Sequence, residues 1–126
     1  MLVSKGTFTA GPGHEMTGGF TISRTPAGFE FATTSDFFFD GSPAPGFAYI
    51  QGDPTSATSN ELGLAASTSG FLPLTQTPPP FVPRVEIKGV QSGLMHPSTP
   101  FMQFDHIFLW CFEIPSLLGY GKVEEA

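Results

Sequence analysis

The sequence predicts an all-β domain, an antiparallel β-sandwich or barrel-like fold with long loops, and three observations carry that prediction. Fifteen Gly and thirteen Pro interrupt the 126 residues too often for long helices. Fourteen Phe supply bulky side chains suited to strands. No window holds a sustained helical period, so helix is expected only in short turns. The length suits one domain, residues 1–126, with a hydrophobic core that needs no disulfide.

The run from 104 to 114 is the longest apolar stretch and holds the only Cys and the only Trp. It contains no Gly or Pro and is ended by Pro115, which marks one long strand. Alternation puts Phe104, His106, Phe108, Trp110 and Phe112 on one face and Asp105, Ile107, Leu109, Cys111 and Glu113 on the other. Both faces are apolar at mid-strand, so the strand is expected to be central and covered on both sides.

The remaining elements follow in order. Residues 5–10 are a short strand, ended by the Gly11-Pro-Gly-His14 turn. Residues 18–24 and 29–33 flank Thr25-Pro-Ala-Gly28 and predict a hairpin. Residues 36–40 are three Phe between two Asp, expected as a buried or edge strand. Gly41 to Gly46 is a loop and residues 47–51 the next strand. Residues 53–70 are small and polar, an exposed excursion with a turn or strand around Leu62 and Leu64. Residues 71–81 hold a triple proline and cannot be a central strand. Residues 82–89 alternate, 93–100 form a loop with His96, and 117–123 close the chain as a final strand or edge. The loop-rich Pro/Ser/Thr segment 53–83 is the expected insertion.

Five basic against eleven acidic residues give a net charge of -6, so neither nucleic acid nor an anionic membrane would find a basic patch. One cysteine cannot form an intrachain disulfide. No apolar run has signal-peptide or membrane-span length, so the expectation is a soluble, cytoplasmic chain with no membrane span. A Gly-x-Ser-x-Gly elbow, a phosphate-cradling loop and a dinucleotide fingerprint are all missing from the sequence.

Several motifs line up with a known family. Gly6-Thr-Phe8, Gly13-His14 with Gly18, Asp36-Phe37, Pro45-Gly-Phe-Ala-Tyr49, Glu61-Leu-Gly63, Trp110-Cys111 and Leu118-Gly-Tyr-Gly-Lys-Val123 occur in that order. This order resembles the DM-thirteen domain, the small domain found beside DOMON domains and described as an electron-transfer module. The resemblance covers nearly the whole chain, and the Trp-Cys strand before a Gly-containing closing strand is its most specific part. It implies an all-β sandwich or barrel-like domain. It also implies that Cys111 is a redox thiol or holds a prosthetic group such as haem, with Trp110 beside it and His14 the matching histidine of the opening turn. A redox partner protein would follow.

Residue chemistry supplies its own candidates. Cys111 works as a nucleophile, redox centre or metal ligand only as thiolate, while free cysteines are habitually small core residues; both readings stand. Cys111 with His14 and His96 would make a soft ligand set for copper, iron or zinc, with Met16, Met95 and Met102 as thioethers nearby in sequence. No short metal spacing is present, and histidines without a ligand are the plain alternative. His106 and Cys111 are an odd number of residues apart, so an unbroken strand sends them to opposite faces. Asp36 and Asp40 fall on one side of a straight strand, either as a carboxylate pair or as strand-end solubilisers. The Phe side chains either fill the core or offer a surface for a partner or a small apolar ligand, and oligomer contacts suit the same surface.

Overall fold

A computed structural model describes residues 1–74, 86–95 and 104–126. The chain forms β1 (Leu2–Thr7), β2 (Thr9–Ala10), β3 (Met16–Thr17), β4 (Gly19–Thr25), β5 (Gly28–Thr33), β6 (Phe38–Phe39) and β7 (Pro45–Ile50). A 3-10 turn (Pro54–Ser56) and α1 (Ser59–Ser69) follow. Then come β8 (Leu72–Pro73), β9 (Ile87–Lys88), β10 (Ser92–Leu94), β11 (His106–Cys111), β12 (Ser116–Lys122) and β13 (Glu124–Glu125). Three antiparallel sheets result, ordered β10-β5-β4-β1-β13, β2-β12-β11-β7-β8 and β3-β6-β9. The architecture is an all-β sandwich and not a closed barrel.

The core explains the Phe content. Phe8, Phe20, Phe31, Phe37, Phe39 and Phe47 are all buried in one cluster with Ile22, Ile107, Leu109 and Leu118. Phe31 meets Phe47 at 4.9 Å between ring centroids, tilted by 51°, one of several off-parallel contacts that suit aromatic quadrupoles. Of the two readings of the Phe content, core filling is the one most of the described phenylalanines take. Among the described residues Phe112 is the one exposed phenylalanine.

β11 sits between β12 and β7. Ile107, Leu109 and Cys111 face the main core, and Phe108 and Trp110 face a second cluster with Leu62 and Ala66 of α1. A strand covered by a sheet on one face and a helix on the other must be apolar on both. The strand is shorter than the run suggests. Residues 112–115 turn back, and Phe104 joins the Ile107 cluster rather than the Trp110 side.

The helix is the main correction to the expected strand-and-loop chain. Thr58 caps it: the Glu61 N–H donates to the Thr58 hydroxyl at 3.1 Å, and the Thr58 N–H donates to the Glu61 carboxylate at 2.9 Å. The buried face is only Leu62, Ala66 and Ser69, at helical spacing but nearly without bulk. Small residues allow close approach instead. Ser69 Oγ donates to the Tyr49 carbonyl at 2.6 Å and accepts the Tyr49 N–H at 3.2 Å, clipping α1 to β7. The 53–70 stretch, expected as an exposed excursion, thus keeps an exposed outer face but packs Leu62, Ala66 and Ser69 on the second sheet.

Other expectations meet the structure unevenly. The hairpin forms as β4 and β5 around Pro26 and Ala27, with Thr25 paired to Gly28. The closing strand is β12, an interior strand between β2 and β11. The Asp36–Asp40 run shrinks to the two-residue β6, with Lys88 over the Phe38 ring at 6.0 Å. The proline run from residue 75, the start of the 82–89 alternation, and His96 and Met102 lie outside the described residues.

Candidate functional site

The site lies at one end of the second sheet, where β11 finishes. Cys111 is the last residue of β11, paired across to Ser116 and to Pro45. It is 1% exposed. Its thiol donates to the Pro43 carbonyl at 3.0 Å, and its sulfur accepts the Ile114 N–H from the following turn at 3.3 Å.

His14 arrives from the other end of the chain by strand pairing. β2 adds to the edge of β12, and the Gly11 N–H donates to the Leu118 carbonyl at 2.8 Å. A side chain at residue 11 has no room, because a Cβ would stand 2.2 Å from the Leu117 carbonyl oxygen. The chain turns there, with the His14 N–H donating to the Gly11 carbonyl at 3.2 Å, and enters β3. Pairing of Met16 with Phe39 then places Asp40 beside His14. His14 Nδ1 and Asp40 Oδ1 are 2.8 Å apart, and the ring stacks on Phe39 at 5.5 Å.

These two approaches meet. His14, Ser42, Pro43, Cys111, Ile114 and Ser116 line one cavity of about 240 Å³. No Lys or Arg is among them. Two predicted residues, far apart in the chain, therefore share a site, while Ser42 and Ser116 are members the sequence did not mark, and Asp40, marked only as a partner for Asp36, stands beside His14. Asp40 is adjacent to the Phe run, but its pairing with His14 depends on the register of β3 against β6.

The other predicted residues go elsewhere. Trp110 faces α1, edge-on to Phe108, so the expected grouping of Trp110 with Cys111 and His14 is not formed; neighbours on a strand point oppositely. Met16 and Met95 are core residues. Asp36 and Asp40 do not act as a pair, because Asp36 accepts from the Thr34 hydroxyl while Asp40 engages His14 and Glu15. His106 stands at the start of β11, roughly 17 Å along the strand from Cys111 and on the opposite face. Its Nδ1 is 2.9 Å from Asp105 Oδ1, which also accepts the Gly52 N–H at 2.7 Å. The His106 bond first, and the Gly52 amide after it, hold the Asp105 carboxyl below the usual range.

Of the expected ligand set, Cys111 and His14 share the cavity and His96 lies outside the described residues. Among the described residues no group of three or more His, Cys, Asp and Glu could hold a metal ion. Cys111 would also have to give up its Pro43 contact to bind one. The arrangement suits a protonatable thiol beside a base.

Compared with known proteins, the chain matches no family model, no curated protein and no solved structure. Among the described residues no helix is long and apolar enough to cross a membrane.

Proposed function

We propose that this domain is a redox or electron-transfer module whose working group is the Cys111 thiol, with His14 as its proton acceptor. The observation that carries the reading is the shared cavity of about 240 Å³, which Cys111 and His14 both line. A resemblance to the DM-thirteen domain supports it, and the partner would be another redox protein or a small oxidant. The thiol gives up its proton, and the thiolate, still held by the Ile114 N–H, attacks the oxidant. With a peroxide the O–O bond breaks, the sulfur becomes a sulfenic acid, and the leaving oxygen takes up the proton.

Native protein treated with hydrogen peroxide and a sulfenic-acid trapping reagent tests this by mass spectrometry, with Cys111→Ser as the blank. A trapped adduct on folded wild-type protein is expected. An adduct formed only after denaturation overturns the reading and makes Cys111 a core residue.

A second reading, binding of a small apolar ligand, rests on a different place. Phe47, Phe71, Leu72 and Phe112 line a neighbouring groove of about 250 Å³ beneath the end of α1. An environment-sensitive apolar dye that binds wild type and Cys111→Ser equally, and Phe112→Ala weakly, would favour it.

A further inference from the structure

Building on the thiol reading above, we propose that Asp40 is the positioning residue of His14, fixing its ring with Nδ1 as donor and Nε2 as the acceptor that serves the Cys111 cavity. A carboxylate only accepts hydrogen bonds, so the nitrogen facing it must carry the proton. Asp40 Oδ1 takes His14 Nδ1–H at 2.8 Å, and Oδ2 takes the Glu15 N–H at 3.1 Å. The Asp40 N–H in turn donates to the Glu15 carbonyl at 3.1 Å, so backbone pairing clamps the carboxylate to the segment that bears His14. Phe39 covers one face of the ring, with 27° between the planes. A neutral imidazole has one N–H, and here it is spent on Asp40. The lone pair is left on Nε2.

Among the described residues nothing else along the cavity competes for the role of base. The Ser42 hydroxyl donates to the Pro43 carbonyl at 3.3 Å and the Ser116 hydroxyl to the Ile114 carbonyl at 3.0 Å, so both protons are already placed. Among the described residues the titratable groups set around His14 are Asp40 from the segment after β6, Glu15 on its own segment and Cys111 from β11. Among the described residues no cation lines the cavity. In the step proposed, the S–H bond of Cys111 breaks and an N–H bond forms at Nε2. The resulting imidazolium faces the Asp40 carboxylate, and the thiolate keeps the Ile114 N–H. No hydrogen bond joins His14 to Cys111 directly, so a water or substrate molecule within the cavity carries the proton between them.

Two measurements on the full chain test the proposal. In ¹⁵N-labelled protein, with His14→Asn used for assignment, the imidazole nitrogens of His14 should show the Nδ1–H tautomer; the Nε2–H tautomer overturns the positioning role. Alkylation of native protein by iodoacetamide across pH, read by mass, gives the second. Asp40→Asn should move the alkylation profile upward by about one pH unit, because the imidazolium loses its opposite charge, and Asp40→Glu should restore most of it. A folded Asp40→Asn protein whose profile overlays the wild type overturns the proposal. Should Asp40→Asn fail to fold, the tautomer decides. Wild-type Cys111 that resists alkylation at every pH overturns the thiol reading instead, and with it the proton-accepting half of this inference.

Discussion

His14 lies 2.8 Å from Asp40 and His106 lies 2.9 Å from Asp105, each through Nδ1, and the two histidine side chains are 12% and 13% exposed. Taken as contacts alone, the pairs are interchangeable. Their surroundings are not. Asp40 is 19% exposed and joins two chain segments through both oxygens, whereas Asp105 is 51% exposed and pairs with its own neighbour in sequence. The first pair borders a cavity that also contains a thiol; the second closes the Gly52 loop onto the start of β11. A histidine–carboxylate contact thus acquires a chemical role from what the rest of the ring meets, and the hydrogen bond itself says little about it.

That contrast can be broken most directly by stability. Asp40→Ala should cost about 2 kcal/mol in urea denaturation, because it strands the part-buried His14 ring and removes the acceptor of the Glu15 N–H. Asp105→Ala should cost below about 1 kcal/mol, since an exposed pair is screened by water and salt. Equal losses would erase the distinction between structural depth at the two sites.

Reactivity sharpens it next. His14→Asn should slow modification of native Cys111 about a hundredfold at neutral pH, the low end of the usual range for loss of one acid–base group. His106→Asn should leave the rate unchanged, being on the opposite face and at the far end of β11. A matching loss in both variants would mean that the effect is global loosening rather than proton transfer.

Acid titration should show the smallest difference, and its sign is fixed by Asp105. A carboxyl held below its unfolded value contributes stability that is present above about pH 4 and is lost as pH falls through the lower, folded value. Asp105→Asn should therefore flatten the acid limb of a stability–pH curve slightly. A steeper limb in that variant would mean that His106 and Gly52 do not favour the charged form.

How much of this was legible differs element by element. The two-faced burial of residues 107–111 could be read from alternation, because each face must match a dry surface whatever its partner. The partner could not: a second sheet and a helix make the same demand on β11. The β4–β5 hairpin was legible because Thr25-Pro-Ala-Gly28 encodes its turn locally, and Gly28 has a positive φ of 126°. The helix was missed because its buried face is Leu62, Ala66 and Ser69, too small and too polar to show as apolar periodicity. Its one local signature was the Thr58-Ser-Asn-Glu61 capping box.

The same division holds for the site. Residue types alone pointed to one thiol and the histidines as the candidates for chemistry, in a chain with a net charge of -6. Between the two described histidines, tertiary structure decided which shares the cavity with the thiol. His106, five residues from Cys111, is carried away by strand alternation, while His14 is brought in by β2 pairing with β12 and oriented by β3 pairing with β6. Periodicity fixes the face on which a side chain stands. Strand order and register, set by long-range burial and backbone hydrogen bonds, fix what it stands beside.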